Sequence, residues 1–536
     1  MDFTSIFGDY TAVAPMIFLM VAALILPGVH LAGKNRTATW AVALVMVIIS
    51  MLVNAVMLYD GYVGTTLGMV AYNAYSGLMI LLFQIVLFLA VVVSNASVET
   101  TRFNVGAYYA LLSAAATGMM FVAESSDLLM IFVGVELTSI SSYALVSMKR
   151  NDARSAEAAV KYVIIGGMST ALTLYGISML YGLAGTTNIA EIAETTRIGG
   201  VTFLFGVAMV SMIAGYGFKI AAVPFHMWAP DVYEGAATPV SLFLATGSKK
   251  MGLSVFFQIF LIMFVSGTAC AAIAGPEVQY LFAIIAAVTM TVGNIVAIAQ
   301  NNIKRMLAYS SIAQAGYILI VMAVMSEYAL SAGLFHMFTH VFMKGGAFLV
   351  VGALICAGVG EKISDYRGLG KRAPLMAAAM MLFLFSLAGI PPLAGFTSKF
   401  FLFSSTLGVG AAGDLAVNSQ WVWLAFIAIL NSAISLYYYA RVVKAMYVDR
   451  GEAVEKIKVP KAFVFAIVLC IVAVIVLGVY PQLLFDLCET AAHTLLLRTF
   501  RRNLLPLPRE GVPMFFAPIR GVFFISKTIS RGRMRP

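Results

Sequence analysis

The residues best suited to chemistry in this sequence are charged side chains inside segments that are otherwise apolar. They are Glu136, Lys161, Lys219, Lys249, Lys250, Lys344 and Lys399. A charged group near the centre of a membrane helix costs about 2.5 to 3.5 kcal/mol, so these side chains are expected to face protein or water rather than lipid. Burial disfavours the charged form of an amine, which lets a buried lysine gain and lose a proton near neutral pH. The pattern therefore predicts an interior path for protons.

Glu136 is the one acid placed well inside an apolar segment. A carboxylate favours the charged form of a neighbouring amine. We expect Glu136 to hold one lysine charged until the carboxylate moves or is neutralised, after which the proton leaves. The alternative is a packing carboxyl that is hydrogen-bonded to Ser139 or Ser142.

Three of the lysines also have ordinary interpretations. Lys161 lies about one turn inside its segment, from which its amine can reach the surface. Lys249 and Lys250 are adjacent and point about 100° apart on a helix, so we expect one to be functional and the other to be a satisfied or surface-reaching neighbour.

A second group of titratable residues follows helical spacing. His336, His340 and Lys344 fall at i, i+4 and i+8, which places them on one helix face, here called the histidine face. The alternative for each histidine is a satisfied interior residue. A metal site is less favoured, because these histidines have no nearby Asp, Glu or Cys to complete a coordination shell.

Proline interrupts two of these apolar segments. In GYGFKIAAVPFHMWAPD, Pro224 follows Lys219 by five residues, and in AGIPPLAGFTSKFF, Pro392 precedes Lys399 by seven. Proline removes a backbone donor and clashes with the preceding turn, so both helices should break. Irregular backbone in a membrane must be covered by protein or line a water-filled cavity. Each lysine is therefore expected beside a hydrated hinge.

The two breaks are parts of a weak internal repeat. Lys161 precedes Lys219 by 58 residues and Lys344 precedes Lys399 by 55, as counted along the sequence. Paired interrupted helices in two halves of a transporter are a good sequence indicator of its ion sites.

The elements that position these residues are transmembrane helices. The 536 residues are 61% hydrophobic and 11% charged, and the mean hydropathy is +0.95, which is typical of a polytopic membrane protein. Apolar segments long enough to cross a bilayer number about fourteen. We divide the chain into 1–104 (spans 1 to 3), 105–265 (first repeat, spans 4 to 8), 278–447 (second repeat, spans 9 to 13), 461–485 (span 14) and 486–536 (basic tail).

The predicted loops alternate in charge. Lysines and arginines, such as Lys304 and Arg305, collect on one side, here called the basic face. Acids, such as Glu124 and Glu277, collect on the other, here called the acidic face. Cytoplasmic loops are enriched in cations, so both termini are predicted on the non-cytoplasmic side of the plasma membrane. The tail conflicts with this, because from Arg498 onward it has nine basic residues against the single acid Glu510. Either it is a surface helix, or the chain re-enters near Leu483 to Leu497.

Several function classes are disfavoured. The four cysteines are scattered without metal-ligand spacing, so iron–sulfur or structural zinc chemistry is not expected in this chain. Dinucleotide and phosphate-binding glycine motifs do not occur. The net charge of +10 comes mostly from loops and tail, which gives no reason to expect nucleic acid.

Together, several longer stretches resemble the antiporter-like membrane subunits of respiratory complex I, most closely subunit N of NADH-quinone oxidoreductase. The stretches are LLMIFVGVELTSISSYAL, EAAVKYVIIGG, FKIAAVPFHMWAPDVYEGAATPVSLFLATGSK, NNIKRMLAYSSIAQAGY and AGIPPLAGFTSKFFLF. The resemblance covers roughly Tyr10 to Gln482. HMFTHVFMKGGAF departs from it and is closer to the sister subunit L or to archaeal homologues. The tail after Arg498 has no counterpart in the family.

The resemblance implies roles for particular residues. Glu136 matches the glutamate of the fifth helix, Lys219 the lysine of the seventh, Lys249 that of the eighth and Lys399 that of the broken twelfth. Lys161 and His226 also match family positions. Two inverted five-helix bundles are implied to form linked half-channels, driven by redox chemistry in other subunits.

This resemblance also implies partners and cofactors. Flavin and iron–sulfur clusters are expected in partner subunits, a quinone or similar carrier is expected at another subunit, and none is expected on this chain. The donor stays open between NADH and a reduced deazaflavin, and the acceptor between a quinone and a phenazine. The leading hypothesis is a proton-translocating subunit of a redox-driven complex. The alternatives are a subunit of a multisubunit sodium/proton antiporter and a structural anchor.

Overall fold

The computed structural model describes residues 10–149, 151–199, 202–264, 269–408, 419–451 and 455–497. Helices of eight or more residues in these ranges are numbered here in chain order. They are α1 Ala14–Gly33, α2 Arg36–Tyr59, α3 Ala74–Ser94, α4 Val105–Glu124, α5 Leu128–Val146, α6 Ala153–Ala184, α7 Ile189–Gly199, α8 Phe203–Ile220, α9 Trp228–Gly235, α10 Thr238–Phe264, α11 Ala269–Ile298, α12 Ile303–Val324, α13 Glu327–Cys356, α14 Pro374–Ala388, α15 Ala394–Ser405, α16 Val422–Tyr447, α17 Lys461–Val479 and α18 Gln482–Leu497.

Thirteen helices in the described part of the chain are long and apolar enough to cross a membrane. The segment predicted as span 12 is a pair of shorter helices, α14 and α15, which accounts for the fourteenth predicted segment. The predicted all-helical polytopic class is confirmed. A small antiparallel hairpin, Gly64–Thr66 with Val70–Tyr72, connects α2 to α3.

Short polar residues set where many of these helices begin. Asn35, Asn73, Asp127 and Asn302 each accept backbone N–H bonds in the first turn of the helix that follows. Such caps satisfy donors that have no partner within the helix. The polar residues between apolar runs therefore define helix ends, and the connections stay short.

The helices form an inner group and an outer group. In each spanning helix we compare an apolar stretch of 18 residues. This stretch is 100% buried in α10 and 89% buried in α12 and α13, but only 28% buried in α2. α10 is also π-helical at Leu244–Ser248 and Phe257–Leu261. Single π-helical turns occur frequently at functional sites. The innermost helices carry Lys249, Lys250, and the histidine face.

Both predicted breaks are present. α8 ends at Ile220, where Ala221 is left-handed with φ 55°, and the helix resumes as α9 at Trp228. α14 ends at Ala388, where Gly389 has φ 94°, and α15 begins at Ala394. Helical hydrogen bonding therefore stops beside each lysine, as expected from the prolines.

The last described helix includes the first residues of the predicted tail. α18 packs on α13 and α3. Phe485 contacts the rings of Tyr328 and Phe335, and His493, eight residues later, is 3.1 Å from Glu327. Eight residues of α18 thus pass over one end of α13. The rest of the predicted tail, from residue 498 on, lies outside the described residues.

Candidate functional site

The first break holds Lys219 beside the predicted glutamate. Its side chain is 3% exposed, and Nζ donates to Ser139 Oγ at 2.5 Å. Glu136 and Lys219 line one small cavity, but the Glu136 carboxylate accepts from Thr170 Oγ1 at 2.8 Å. Ser139 and Ser142, considered as partners of Glu136, bond elsewhere. The charge of Glu136 therefore acts on Lys219 through the cavity without a direct ion pair.

Lys161 is tied to the basic face by two acids. Its amine lies 2.6 Å from both Glu157 and Asp231, and its side chain is 41% exposed. Asp231 also binds Arg305, at 2.6 Å. The amine of Lys161 therefore extends toward the surface, as predicted. Asp231, on α9, joins Lys161 in the first half to Arg305 at the start of α12.

The two lysines of α10 are both buried, each 2% exposed. Lys249 Nζ lies 5.4 Å from the centre of the Tyr233 ring and has no hydrogen-bond partner among the described residues. α10 approaches α8 closely, because a Cβ at Gly252 would lie 3.1 Å from the Cβ of Lys219. The Lys249 region thus adjoins the first break.

His226 lies within that break and is 9% exposed. Its Nδ1 has no partner among the described residues, and the charge of Lys249 acts on its ring. The structure therefore places this predicted residue inside the first break, where the charge of Lys249 on α10 acts on it.

The predicted histidine face of α13 is buried in full. His336 bonds Ser398 through Nδ1 at 2.9 Å and Gln314 through Nε2 at 3.0 Å. His340 has no partner for either ring nitrogen in the described part of the chain, and its ring centre is 6.3 Å from that of His336. The charges of Lys249, Lys250 and Lys344 act on His340. The histidine face therefore lies between the lysines of α10 and the second repeat, residues 278–447.

Lys344, one turn beyond His340, is 0% exposed. It donates to Leu307 O at 3.2 Å and makes a short hydrogen bond to Ser310 Oγ. Ser310 in turn shares a hydrogen bond of 2.5 Å with the Tyr439 hydroxyl. Lys344 therefore joins a chain of hydroxyl groups between α12 and α16.

The second break holds Lys399 on neutral oxygen atoms. Nζ donates to Leu387 O at 2.8 Å, to Ala388 O at 3.2 Å and to Ser432 Oγ at 3.0 Å. It also lies 4.8 Å from the centre of the Tyr317 ring and lines a pocket of about 480 Å³. The carbonyl groups belong to the last turn of α14, where a helix has partial negative charge.

Acids and cations on the basic face form a network that sequence analysis did not find. Lys304 was counted among the loop cations, but it is 0% exposed in the first turn of α12 and bonds Glu99 at 3.3 Å and Glu361 at 3.0 Å. Burial raises the pKa of Glu99, but Lys304, Lys149 and the N–H of Thr238 lower it by more, so the pKa lies below its ordinary value.

The neutral partners of the buried lysines were also missed. Ser139, Ser310, Ser398 and Ser432 each bond a lysine or a histidine of the site. Serines are frequent in membrane helices, and nothing in their spacing separates these from serines that bond their own helix.

One residue could have indicated the ion-pair network from the sequence. It is Asp231, an acid in the stretch that follows Pro224.

Comparison with known proteins gives three findings. Residues 125–447, more than half of the chain, match the family described as NADH:quinone oxidoreductase/Mrp antiporter, TM. F(420)H(2) dehydrogenase subunit N of Methanosarcina mazei is 45% identical over 418 residues, which cover 76% of this chain and 81% of that protein. NADH-quinone oxidoreductase subunit N of Desulfitobacterium hafniense is 40% identical over 455 residues, with coverages of 82% and 88%.

A solved structure is similar along most of its length. A chain of respiratory complex I from Thermus thermophilus superposes with a TM-score of 0.72 at 27% identity and covers 89% of this chain and 99% of that one.

Proposed function

Because this chain belongs to the NADH:quinone oxidoreductase/Mrp antiporter membrane family, we propose that it is the proton-translocating subunit of a redox-driven complex of the NADH-quinone oxidoreductase type. The resemblance predicted from its motifs is confirmed. The chain works as one subunit of a translocase, and electrons pass through partner subunits that carry the flavin and iron–sulfur clusters. A quinone or similar carrier is reduced at another subunit.

One observation supports this proposal most strongly, a row of buried ionisable groups through the inner helices. The buried row is Lys219, Lys249, His340, Lys344 and Lys399. Half-buried Glu136 and Lys161 and buried His226 lie beside the first break. Moving one charge against 100 mV costs about 2.3 kcal/mol. The energy therefore comes from the partner subunits.

The two halves have separate tasks in this proposal. Residues 105–265 take up protons through the break after Lys219, and residues 278–447 pass them on through the break before Lys399. Hydroxyl groups and water connect the amines, and both termini lie on the non-cytoplasmic side of the plasma membrane. Reporter fusions at the connections of the basic and acidic faces test this orientation.

The decisive experiment compares variants within the assembled complex. Lys219→Ala and Lys399→Ala are expected to lower proton pumping in membrane vesicles at least about tenfold, which corresponds to 1.36 kcal/mol on the barrier. Lys444→Ala is the control, because Lys444 is 66% exposed and pairs with Asp449. Normal pumping by both buried variants contradicts the proposal.

The antiporter alternative is tested by purification. Co-isolation with flavin and iron–sulfur subunits is expected. Sodium-dependent proton exchange in vesicles that lack those subunits contradicts the redox-driven assignment.

The electron donor is tested separately, since the relatives are named for F(420)H(2) in one case and NADH in the other. The purified complex is given NADH or a reduced deazaflavin, and oxidation of each is followed by absorbance.

A further inference from the structure

A column of polar side chains runs along α10 away from the histidine face. Lys250, Ser254 and Gln258 follow at i, i+4 and i+8, so they share one face of the helix. Their exposed fractions are 2%, 0% and 0%. The route proposed above leaves α10 toward α13 and does not use Ser254 or Gln258.

Hydrogen bonds connect Ser254 and Gln258 to each other and to the neighbouring helices α3 and α4. Ser254 Oγ lies 2.8 Å from the Tyr75 hydroxyl on α3. The amide of Gln258 donates to Ser254 Oγ at 2.9 Å and to Val122 O on α4 at 2.8 Å. Gln258 Oε1 is buried and has no partner among the described residues. A buried acceptor normally has a donor, so this oxygen is suited to hold a water molecule.

The column points toward the acidic face. Lys250 lies near the middle of α10, and Gln258 is about 12 Å further along the helix axis at about 1.5 Å per residue. Val122, which accepts from Gln258, is two residues from the end of α4 at Glu124, a carboxylic acid that is 0% exposed. Gln258 also lies in the π-helical segment Phe257–Leu261. The column thus extends from the amine of Lys250 toward the end of α4, which carries the buried acid Glu124.

We propose that Lys250, Ser254, Gln258 and Glu124 form a branch by which protons leave the central lysines toward the acidic face. This inference depends on the proposed function. In one step, the Lys250 ammonium gives its proton to water beside Ser254, and the Glu124 carboxylate receives a proton from the same chain of water. Lys250 becomes a neutral amine and Glu124 a neutral acid, which then releases its proton at the acidic face. Gln258 positions the water and carries no proton itself.

This branch gives the adjacent lysines of α10 different tasks. Lys249 faces Tyr233 and belongs to the route toward the first break. Lys250 begins the face of α10 that continues through Ser254 and Gln258, so it serves the branch.

The first test asks whether water reaches the column. Ser254→Cys and Gln258→Cys are introduced into the full complex after the native cysteines have been replaced by serine. Sealed vesicles are treated at the acidic face with 2-aminoethyl methanethiosulfonate. The control is Val255→Cys, at a 0% exposed position on another face of α10. We expect both column variants to react at least about tenfold faster than the control, since thiol reactivity depends on access. Equal rates overturn the proposal.

The second test measures proton release. Gln258→Leu is expected to lower its initial rate by a smaller factor than Lys399→Ala does while electron transfer continues, because the exit through Lys399 stays open. Gln84→Leu is the matched control, because buried Gln84 bonds Ser50 and Asn54 away from the column. Equal losses in both variants overturn the proposal. If Gln258→Leu does not assemble, the thiol labelling decides.

The outcomes separate this inference from the proposed function. Pumping that is lost in Lys399→Ala but kept in Gln258→Leu overturns the branch alone. Pumping that is kept in Lys219→Ala and Lys399→Ala overturns the proposed function.

Discussion

The two breaks hold the same chemical group in different electrostatic surroundings. At the first break, Lys219 bonds a serine hydroxyl and shares a cavity with the carboxylate of Glu136. At the second break, Lys399 bonds two carbonyl groups and a hydroxyl, and no acid pairs with it within the described part of the chain. One amine faces a full negative charge and the other only dipoles.

This difference indicates two ways to control a buried amine. A carboxylate changes its effect when it is protonated or moves, so the first site can respond to charge. The end of a helix changes its effect when the helix moves, so the second site can respond to the position of α14. Exchanging or removing these surroundings should therefore affect the two sites differently.

The largest effect is expected when the second site is given the charge of the first. Ser432→Asp places a carboxylate about where Ser432 Oγ now lies, 3.0 Å from Lys399 Nζ. In a low-dielectric interior that charge holds the amine protonated, so proton pumping should fall at least about tenfold. Ser432→Ala is the control and should lose much less. Equal losses in the two variants would mean that charge is not what separates the breaks.

The reverse change removes the charge from the first site. In Glu136→Gln the amide keeps the bond to Thr170, but Lys219 loses its neighbouring negative charge. The amine then becomes charged less readily, so the alkaline side of the pumping profile should move to lower pH by about one unit. The measurement is the pumping rate from pH 6 to 9, a range that brackets neutral pH. An unchanged profile would contradict the assigned role of Glu136.

A smaller effect is expected at α9, the helix that follows the first break. Ion pairs hold α9 in place. Asp231→Asn removes the acid shared by Lys161 and Arg305, but Glu157 and Glu234 remain as their partners. Partly exposed pairs contribute modestly, so the melting temperature of the purified complex should fall by only a few degrees. Asp449→Asn is the control, since its lysine partner is exposed. If Asp449→Asn lowers the melting temperature by the same amount, the ion pairs of Asp231 make no special contribution to holding α9.

The smallest effect concerns the basic face, which supports both halves. The pKa of Glu99 lies below its ordinary value, so its contribution to the free energy of unfolding is complete above that value and is lost as pH falls through the lowered pKa. Thermal stability should therefore decline below about pH 4.5 and decline less steeply in Glu99→Gln. A profile that is identical in the variant would show that Glu99 does not contribute.

Sequence reasoning predicted the helices and the lysines because both have strong physical signals. Apolar length defined the spans, and Pro224 and Pro392 marked the breaks. The surroundings of Lys219 and Lys399 were not predictable, because serines and carbonyl groups from other helices leave no periodic pattern. Lys304 was assigned to a loop for a related reason. The hydropathy of a segment does not distinguish a buried cation in the first turn of a helix from a cation in a loop.

The inner position of α10 has a consequence for biogenesis. Its mean hydropathy of 1.2 is the lowest among the thirteen candidate spans, against 3.3 for α17. Two central lysines oppose its entry into lipid by roughly 5 to 7 kcal/mol if each costs about 2.5 to 3.5. Such a segment partitions poorly by itself, so we expect its insertion to depend on neighbouring helices. Deleting an early neighbour such as α4 should then leave α10 stranded outside the bilayer during synthesis.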